Sequence, residues 1–228
     1  MLCMSTSHHK DHSGPGCAVG LGVLLSLLFA ASTAQADALP KQVPSSGKLV
    51  PALRSQLGVA LVKQLEQDEQ LPGPGPVVSG QDRSMRASSG GRRIWLTPVQ
   101  VRYKSLSNSY CRLAVSDEGM ENTRLVPLPP TELNDSCIKV SSQFVVDANG
   151  TGATDVVQSV RIRSNRGTYE VSEALVYLAH PQSASGYCFS SQASRELTPE
   201  SLRTAQAINA ALKDSRARLG LQEYSCDG

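Results

Sequence analysis

One stretch of the chain alternates oxygen-bearing side chains with glycine and alanine. Residues 144–157 read Phe-Val-Val-Asp-Ala-Asn-Gly-Thr-Gly-Ala-Thr-Asp-Val-Val. Counted from the first aspartate, side-chain oxygens stand at positions 1, 3, 5 and 9. A glycine-containing loop with this spacing can gather its oxygens around one hard cation such as calcium. The predicted ligands are the side chains of Asp147, Asn149, Thr151 and Asp155 and the carbonyl of Ala153.

With apolar residues on both sides, residues 144–157 resemble the calcium loop of the FG-GAP repeats of integrin-type propellers. The resemblance implies a calcium site, and Thr151 stands where that family usually has Asp. The loop occurs in a single copy, whereas a propeller needs four or more blades, so the resemblance implies nothing about the whole fold. The alternative is a hairpin turn in which Asp147, Asn149 and Gly150 hydrogen-bond the backbone.

Catalytic chemistry has weaker candidates. His180 is the one histidine after residue 36, and Ser185 or Ser190 could meet it as a nucleophile. No Gly-x-Ser-x-Gly elbow is present, and a histidine before proline is also typical of a turn. Pairs of carboxylates could serve a hydrolase, but no pair stands out. The acidic candidates are Asp117, Glu118, Glu121, Glu170 and Glu173.

The cysteines after residue 36 are even in number: Cys111, Cys137, Cys188 and Cys226. In an oxidising compartment such a set predicts two disulfides, with three possible connectivities that the sequence does not separate. Zinc binding is the alternative, although the chain contains no Cys-x-x-Cys pair.

The first 36 residues have the order of a secretory signal. A polar leader precedes an apolar run at residues 21–31, and Ala34-Gln35-Ala36 offers small residues to a signal peptidase. An uncleaved membrane anchor is the alternative, and no later stretch could cross a membrane. Removing one basic and one acidic residue with the leader keeps the net charge at +2. This balance gives no field favouring nucleic acid.

The elements around these residues follow from periodicity. Leucines recur every four residues within residues 49–71, which predicts one amphipathic helix in an N-terminal segment, residues 37–71. Residues 72–91 are rich in Pro, Gly and Ser and are predicted as a linker. The helix would either dock on the main domain or present its leucines to another molecule.

The main domain is predicted at residues 92–228. Its apolar residues alternate from residue 93 onward, which predicts six or seven short strands. These runs lie at residues 93–103, 111–115, 124–128, 137–146, 155–163, 168–178 and 187–190. A C-terminal helix is predicted from Thr198 to Gly220. The expected class is α+β, mainly antiparallel β, as a sheet, sandwich or small barrel with N-terminal and C-terminal helices.

These features favour an exported, non-enzymatic protein that binds another protein or an envelope component. An inhibitor or immunity-type protein of a bacterial periplasm fits the size and the disulfides. The alternatives are a calcium-dependent surface or adhesion module and a small secreted hydrolase. No cofactor is predicted other than calcium.

Overall fold

The computed structural model describes residues 41–46, 49, 51–68, 76–79, 83–89, 91–103, 108–129, 136–164 and 169–227. The predicted signal peptide, residues 1–36, lies outside them. The described residues form ten strands and three α-helices. The strands are β1 (Lys41–Ser46), β2 (Pro76–Ser79), β3 (Met85–Ser89), β4 (Arg92–Tyr103), β5 (Ser109–Asp117), β6 (Thr123–Leu125), β7 (Ser136–Val146), β8 (Asp155–Arg163), β9 (Glu170–Ala179) and β10 (Tyr187–Phe189). The helices are α1 (Pro51–Asp68), α2 (Ser191–Arg195) and α3 (Ala205–Leu219).

Two antiparallel sheets organise these strands. The first sheet has six strands in the order β1-β3-β4-β5-β6, and β2 also pairs with β4. The second sheet has four strands in the order β10-β9-β8-β7. The predicted class, a mainly antiparallel α+β fold with two disulfides, is confirmed, and a sandwich is the arrangement it takes.

The main core lies between the two sheets. It joins Leu96 and Leu113 of the first sheet to Val156 and Tyr177 of the second, and all four are fully buried. Strand β8 has six consecutive buried residues because its other face is covered by helices. A strand buried on both faces needs no alternation of apolar and polar residues.

Helix α1 covers the outer face of the first sheet. Its leucines at positions 57, 61 and 65 are almost fully buried against Trp95 and Val99 of β4. Proline at the first helical position suits a helix start because that position needs no N–H donor. The leucine stripe therefore docks on the chain itself.

Helices α2 and α3 cover the outer face of the second sheet. Ile208 and Leu212 of α3 are fully buried against Val157 and Val176. Helix α3 ends at Gly220, which adopts the left-handed conformation at φ 66° and suits a residue without Cβ. The molecule thus has a helical layer on each outer face of the sandwich.

The structure differs from the prediction at residues 72–91. Instead of a linker, this segment contributes β2 and β3, which pair with the two halves of the long strand β4. Strand β1 likewise precedes the helix within residues 37–71. Pairing through the backbone needs few large side chains, so a segment rich in Pro, Gly and Ser can still form strands.

The C-terminal helix also begins later than predicted. Thr198 leads into a turn of 3₁₀ helix at Ser201–Arg203, and Thr204 caps α3 by accepting a hydrogen bond from the N–H of Ala207 at 3.1 Å. No helix among the described residues has the length and apolar composition needed to span a membrane.

Candidate functional site

The predicted calcium loop lies between β7 and β8, at residues 147–154. Gly150 and Gly152 adopt φ values of +71° and +77°, so the tight reversal uses residues without Cβ. A Cβ on Gly150 would lie 3.1 Å from Nη2 of Arg216, whereas one on Gly152 would meet nothing within 4 Å. Of these two glycines, Gly150 is therefore the one that packs closely against Arg216 of helix α3.

Asp147 closes the loop on itself. Its Oδ1 accepts a hydrogen bond from the N–H of Thr151 and its Oδ2 from the N–H of Gly152, both at 2.9 Å. Its own N–H donates to Oδ1 of Asn209 on α3 at 3.0 Å. The carboxylate thus satisfies two donors that a sharp turn would otherwise leave without a partner.

Asp155 is buried and hydrogen-bonds two segments of the chain, the β7–β8 loop and the end of β9. It is 1% exposed. Its Oδ2 accepts from the N–H of Ala148, and its Oδ1 accepts from the N–H of Ala179, both at 2.8 Å. Burial raises the pKa of Asp155 from 3.8 to about 6, and the charge of Asp147 acts in the same direction. The two N–H bonds oppose this rise because they stabilise the ionised form.

Tyr187 lies close enough to Asp155 to be influenced by its charge. The pKa of the Tyr187 hydroxyl is raised, first by burial and then by the carboxylate of Asp155. The side chain is fully buried in the core between the sheets, and within the described residues its hydroxyl has no hydrogen-bond partner. A buried hydroxyl in this situation destabilises the fold.

The chain after α3 completes this cluster. Oδ1 of Asn149 accepts from the N–H of Tyr224 at 2.7 Å. The carbonyl of Asn149 accepts from Nη1 of Arg216 at 2.6 Å, and the same nitrogen donates to the carbonyl of Gln222 at 2.9 Å. The C-terminal segment is thereby tied to the β7–β8 loop.

Three of the four predicted calcium ligands lie in the loop and Asp155 begins β8, and the side-chain oxygens of all four accept hydrogen bonds from backbone N–H groups. Thr151 is the loosest of them, since its Oγ1 accepts from the N–H of Ala153 at 3.4 Å. A cation would compete with these donors. In the parts of the chain that the structure describes, no group of three or more His, Cys, Asp or Glu is placed to hold a metal.

The structure does not join His180 to either predicted serine. Oγ of Ser185 donates to the carbonyl of Tyr187 at 2.8 Å. Ser190 is buried, and its Oγ caps α2 by accepting from the N–H of Ala193 at 3.2 Å. The backbone of His180 takes part in the turn after β9, where its N–H donates to the carbonyl of Gly186 at 2.9 Å.

Three of the predicted acidic residues engage neighbouring side chains. Oδ2 of Asp117 accepts from Nδ2 of Asn122 at 2.6 Å. Glu118 pairs with Arg93 at 2.9 Å across an exposed surface. Glu170 pairs with two arginines of β8, described below. Each of these carboxylates therefore has a partner that stabilises its position.

The four cysteines form two disulfides, which decides among the three connectivities and excludes zinc binding by these thiols. Cys111–Cys137 joins β5 to β7 and thus links the two sheets. Beside it, Nε2 of Gln100 donates to the carbonyl of Cys137 at 2.8 Å. Cys188–Cys226 joins β10 to the segment after α3. The first bridge joins strands of different sheets, and the second lies beside a backbone hydrogen bond in which the N–H of Asp227 donates to the carbonyl of Phe189 at 2.9 Å.

A surface that sequence reasoning missed lies on the outer face of the second sheet. Arg161 and Arg163 of β8 both pair with Glu170, at 3.0 and 3.3 Å, and Lys139 of β7 lies directly opposite Arg161. We call Lys139, Arg161, Arg163 and Glu170 the basic face. Tyr169, which precedes Glu170, is 62% exposed. The three cations lie on β7 and β8 and the carboxylate shared by the two arginines lies on β9, so strand pairing alone makes them neighbours and no local sequence motif indicates the cluster.

The chain was compared with protein-family models, curated proteins and solved structures. No protein-family model, curated protein or solved structure shows significant similarity to this chain.

Proposed function

We propose that this chain is an exported, non-enzymatic protein that binds another macromolecule, of the inhibitor or immunity type. The observation that carries the proposal is the basic face, where Arg161 and Arg163 are exposed on paired strands beside Lys139. Arginine is enriched among the residues that dominate binding energy in protein interfaces. The surface is built on paired strands, which position side chains more firmly than a loop does.

Two further features support export and a structural use of the polar residues. The two disulfides suit an oxidising compartment. The strongest candidate metal ligands in the sequence each accept a hydrogen bond from a backbone N–H group: Asp147, Asn149 and Asp155. Their oxygens act as structural acceptors there.

Expression of the full chain in its native cells tests the proposal. We expect the protein to fractionate outside the cytoplasm, to resist thiol alkylation unless reduced, and to be recovered after cross-linking as a discrete one-to-one complex. A reduced, cytoplasmic protein would contradict export. A protein that stays monomeric under several growth and cross-linking conditions would contradict the binding function.

A calcium-dependent surface module is the second candidate, and the spacing of Asp147, Asn149, Thr151 and Asp155 around the turn between β7 and β8 favours it. A ligand that binds only the folded protein raises the free energy of unfolding by RT ln(1 + [L]/Kd). Thermal melts in millimolar calcium and in chelator measure this effect. The site is supported if calcium raises the melting temperature of the native protein and of Asp214→Asn but not that of Asp147→Asn. Identical melting temperatures in calcium and in chelator would reject it.

A further inference from the structure

We propose that the basic face binds an acidic segment of a partner polypeptide in an extended conformation, an inference that rests on the proposed binding function. The face is accessible because the helices cover only part of the second sheet. Val157 contacts α2 and α3, whereas Arg161 and Arg163, farther along the same face of β8, have side chains 46% and 60% exposed. The open part of the sheet is thus its positively charged end.

The charge arrangement of this face favours an anionic ligand. Lys139 and Arg161 are directly opposed on neighbouring strands, a placement of like charges that destabilises a sheet. One carboxylate, Glu170, serves both arginines, and Lys139 has no ion pair among the described residues. A carboxylate arriving beside Lys139 and Arg161 would relieve their repulsion, so binding and stability are coupled.

The arginines retain donors for such a carboxylate. In each pair Nη2 of the arginine contacts one carboxylate oxygen of Glu170, Oε2 for Arg161 and Oε1 for Arg163. A guanidinium carries five N–H donors in a planar fork, which matches a carboxylate through two parallel bonds. Glu170 therefore orients the two arginines and leaves other N–H groups for a ligand.

The spacing favours an extended polypeptide over a dense polyanion. Arg161 and Arg163 are two residues apart on one strand, which separates their Cα atoms by about 6.6 Å. Alternate residues of an extended peptide have nearly the same separation, so carboxylates at every second position match the two guanidiniums. Glu170 lies between them and repels the closely spaced charges of a sulfated glycan or an anionic membrane surface.

A photo-cross-linking amino acid placed in the full chain tests this in native cells. It replaces Ser172, which is exposed and directly opposite Arg161, or Val59, which is 68% exposed on α1. We expect position 172 to cross-link to an acidic segment of a protein and position 59 to give no such product. Products with a glycan, a lipid or a second copy of this chain at position 172 would overturn the inference.

The two proposals fail in distinguishable ways. Cross-links at position 59 without any at position 172 would overturn the basic face but leave the binding function standing. No cross-links at either position, together with a monomeric protein, would overturn both.

A defined probe gives the quantitative test. Purified protein is titrated with a labelled peptide of alternating Glu and Ser, and with the matching Gln and Ser peptide. We expect the double change Lys139→Glu and Arg163→Glu to weaken binding of the acidic peptide by at least about tenfold, since it reverses charges at the contact. The control Lys63→Glu with Arg124→Glu changes the net charge equally and should alter binding by less than about twofold. Equal effects of the two pairs would overturn the inference.

Discussion

Replacing Asp155 with asparagine should change how the stability of the protein depends on pH. Burial raises the pKa of Asp155 from 3.8 to about 6, so between these values the folded protein binds more protons than the unfolded chain. The free energy of unfolding therefore falls as pH rises through this window. The shift of about two units corresponds to about 3 kcal/mol, present below pH 3.8 and lost above pH 6. Asparagine does not titrate, so the free energy of unfolding of Asp155→Asn does not fall in this way between pH 3.8 and pH 6.

The hydrogen bonds of this group depend on its protonation state. The ionised carboxylate accepts N–H groups from Ala148 and Ala179 through both oxygens, whereas the protonated carboxyl and an amide each offer one carbonyl oxygen. We expect Asp155→Asn to be close in stability to the native protein near pH 4, and more stable than it at pH 7 by up to about 3 kcal/mol, because only the native protein loses stability through this window.

Urea unfolding at pH 4 and pH 7 measures this difference through the fluorescence of Trp95, the single tryptophan, which is 3% exposed. Asp214→Asn removes an exposed carboxylate on α3 and serves as the matched control. Taking the change between the two pH values removes any effect of the substitution that does not depend on pH. A stability difference between native protein and Asp155→Asn that is independent of pH would refute the assignment of the raised pKa to burial of this group.

Two further substitutions have definite expectations. Gly150→Ala should destabilise the protein more than Gly152→Ala in the same urea assay. Both substitutions force alanine into positive φ, which costs about 1–2 kcal/mol. Only the Cβ at position 150 would also contact Nη2 of Arg216, at 3.1 Å. Equal losses would show that Arg216 moves aside freely. Tyr187→Phe should leave stability unchanged or raise it by about 1–2 kcal/mol, because it removes a buried hydroxyl without a partner in the described residues. A marked loss of stability would mean that this hydroxyl is satisfied.

The elements most easily predicted from the sequence were those whose apolar period is local. The leucine stripe of α1 and the strands β4, β5, β7, β8 and β9 follow their predicted ranges within a few residues. The strands β2 and β3 could not be predicted, because they contain few large apolar residues and are held by backbone pairing with β4. The start of α3 was misplaced because Thr198 and Thr204 are equally good caps in the sequence. A 3₁₀ turn that buries Leu202 lies between them, and α3 begins after the second.

The β7–β8 loop shows why a cation-like spacing is ambiguous in a single sequence. The spacing of Asp, Asn, Thr and Gly brings several acceptor oxygens into one turn. Such acceptors can bind a cation, or they can accept hydrogen bonds from backbone N–H groups, so the spacing fits a metal site and a structural turn equally well. What distinguishes the two is the identity of the donors. Here Asn149 receives the N–H of Tyr224 and Asp155 receives the N–H of Ala179, residues far along the chain. The segment that Cys226 fixes to β10 thus supplies one of the partners of the loop, and breaking that disulfide should weaken the Asn149 contact before the contacts that Asp147 makes within the loop.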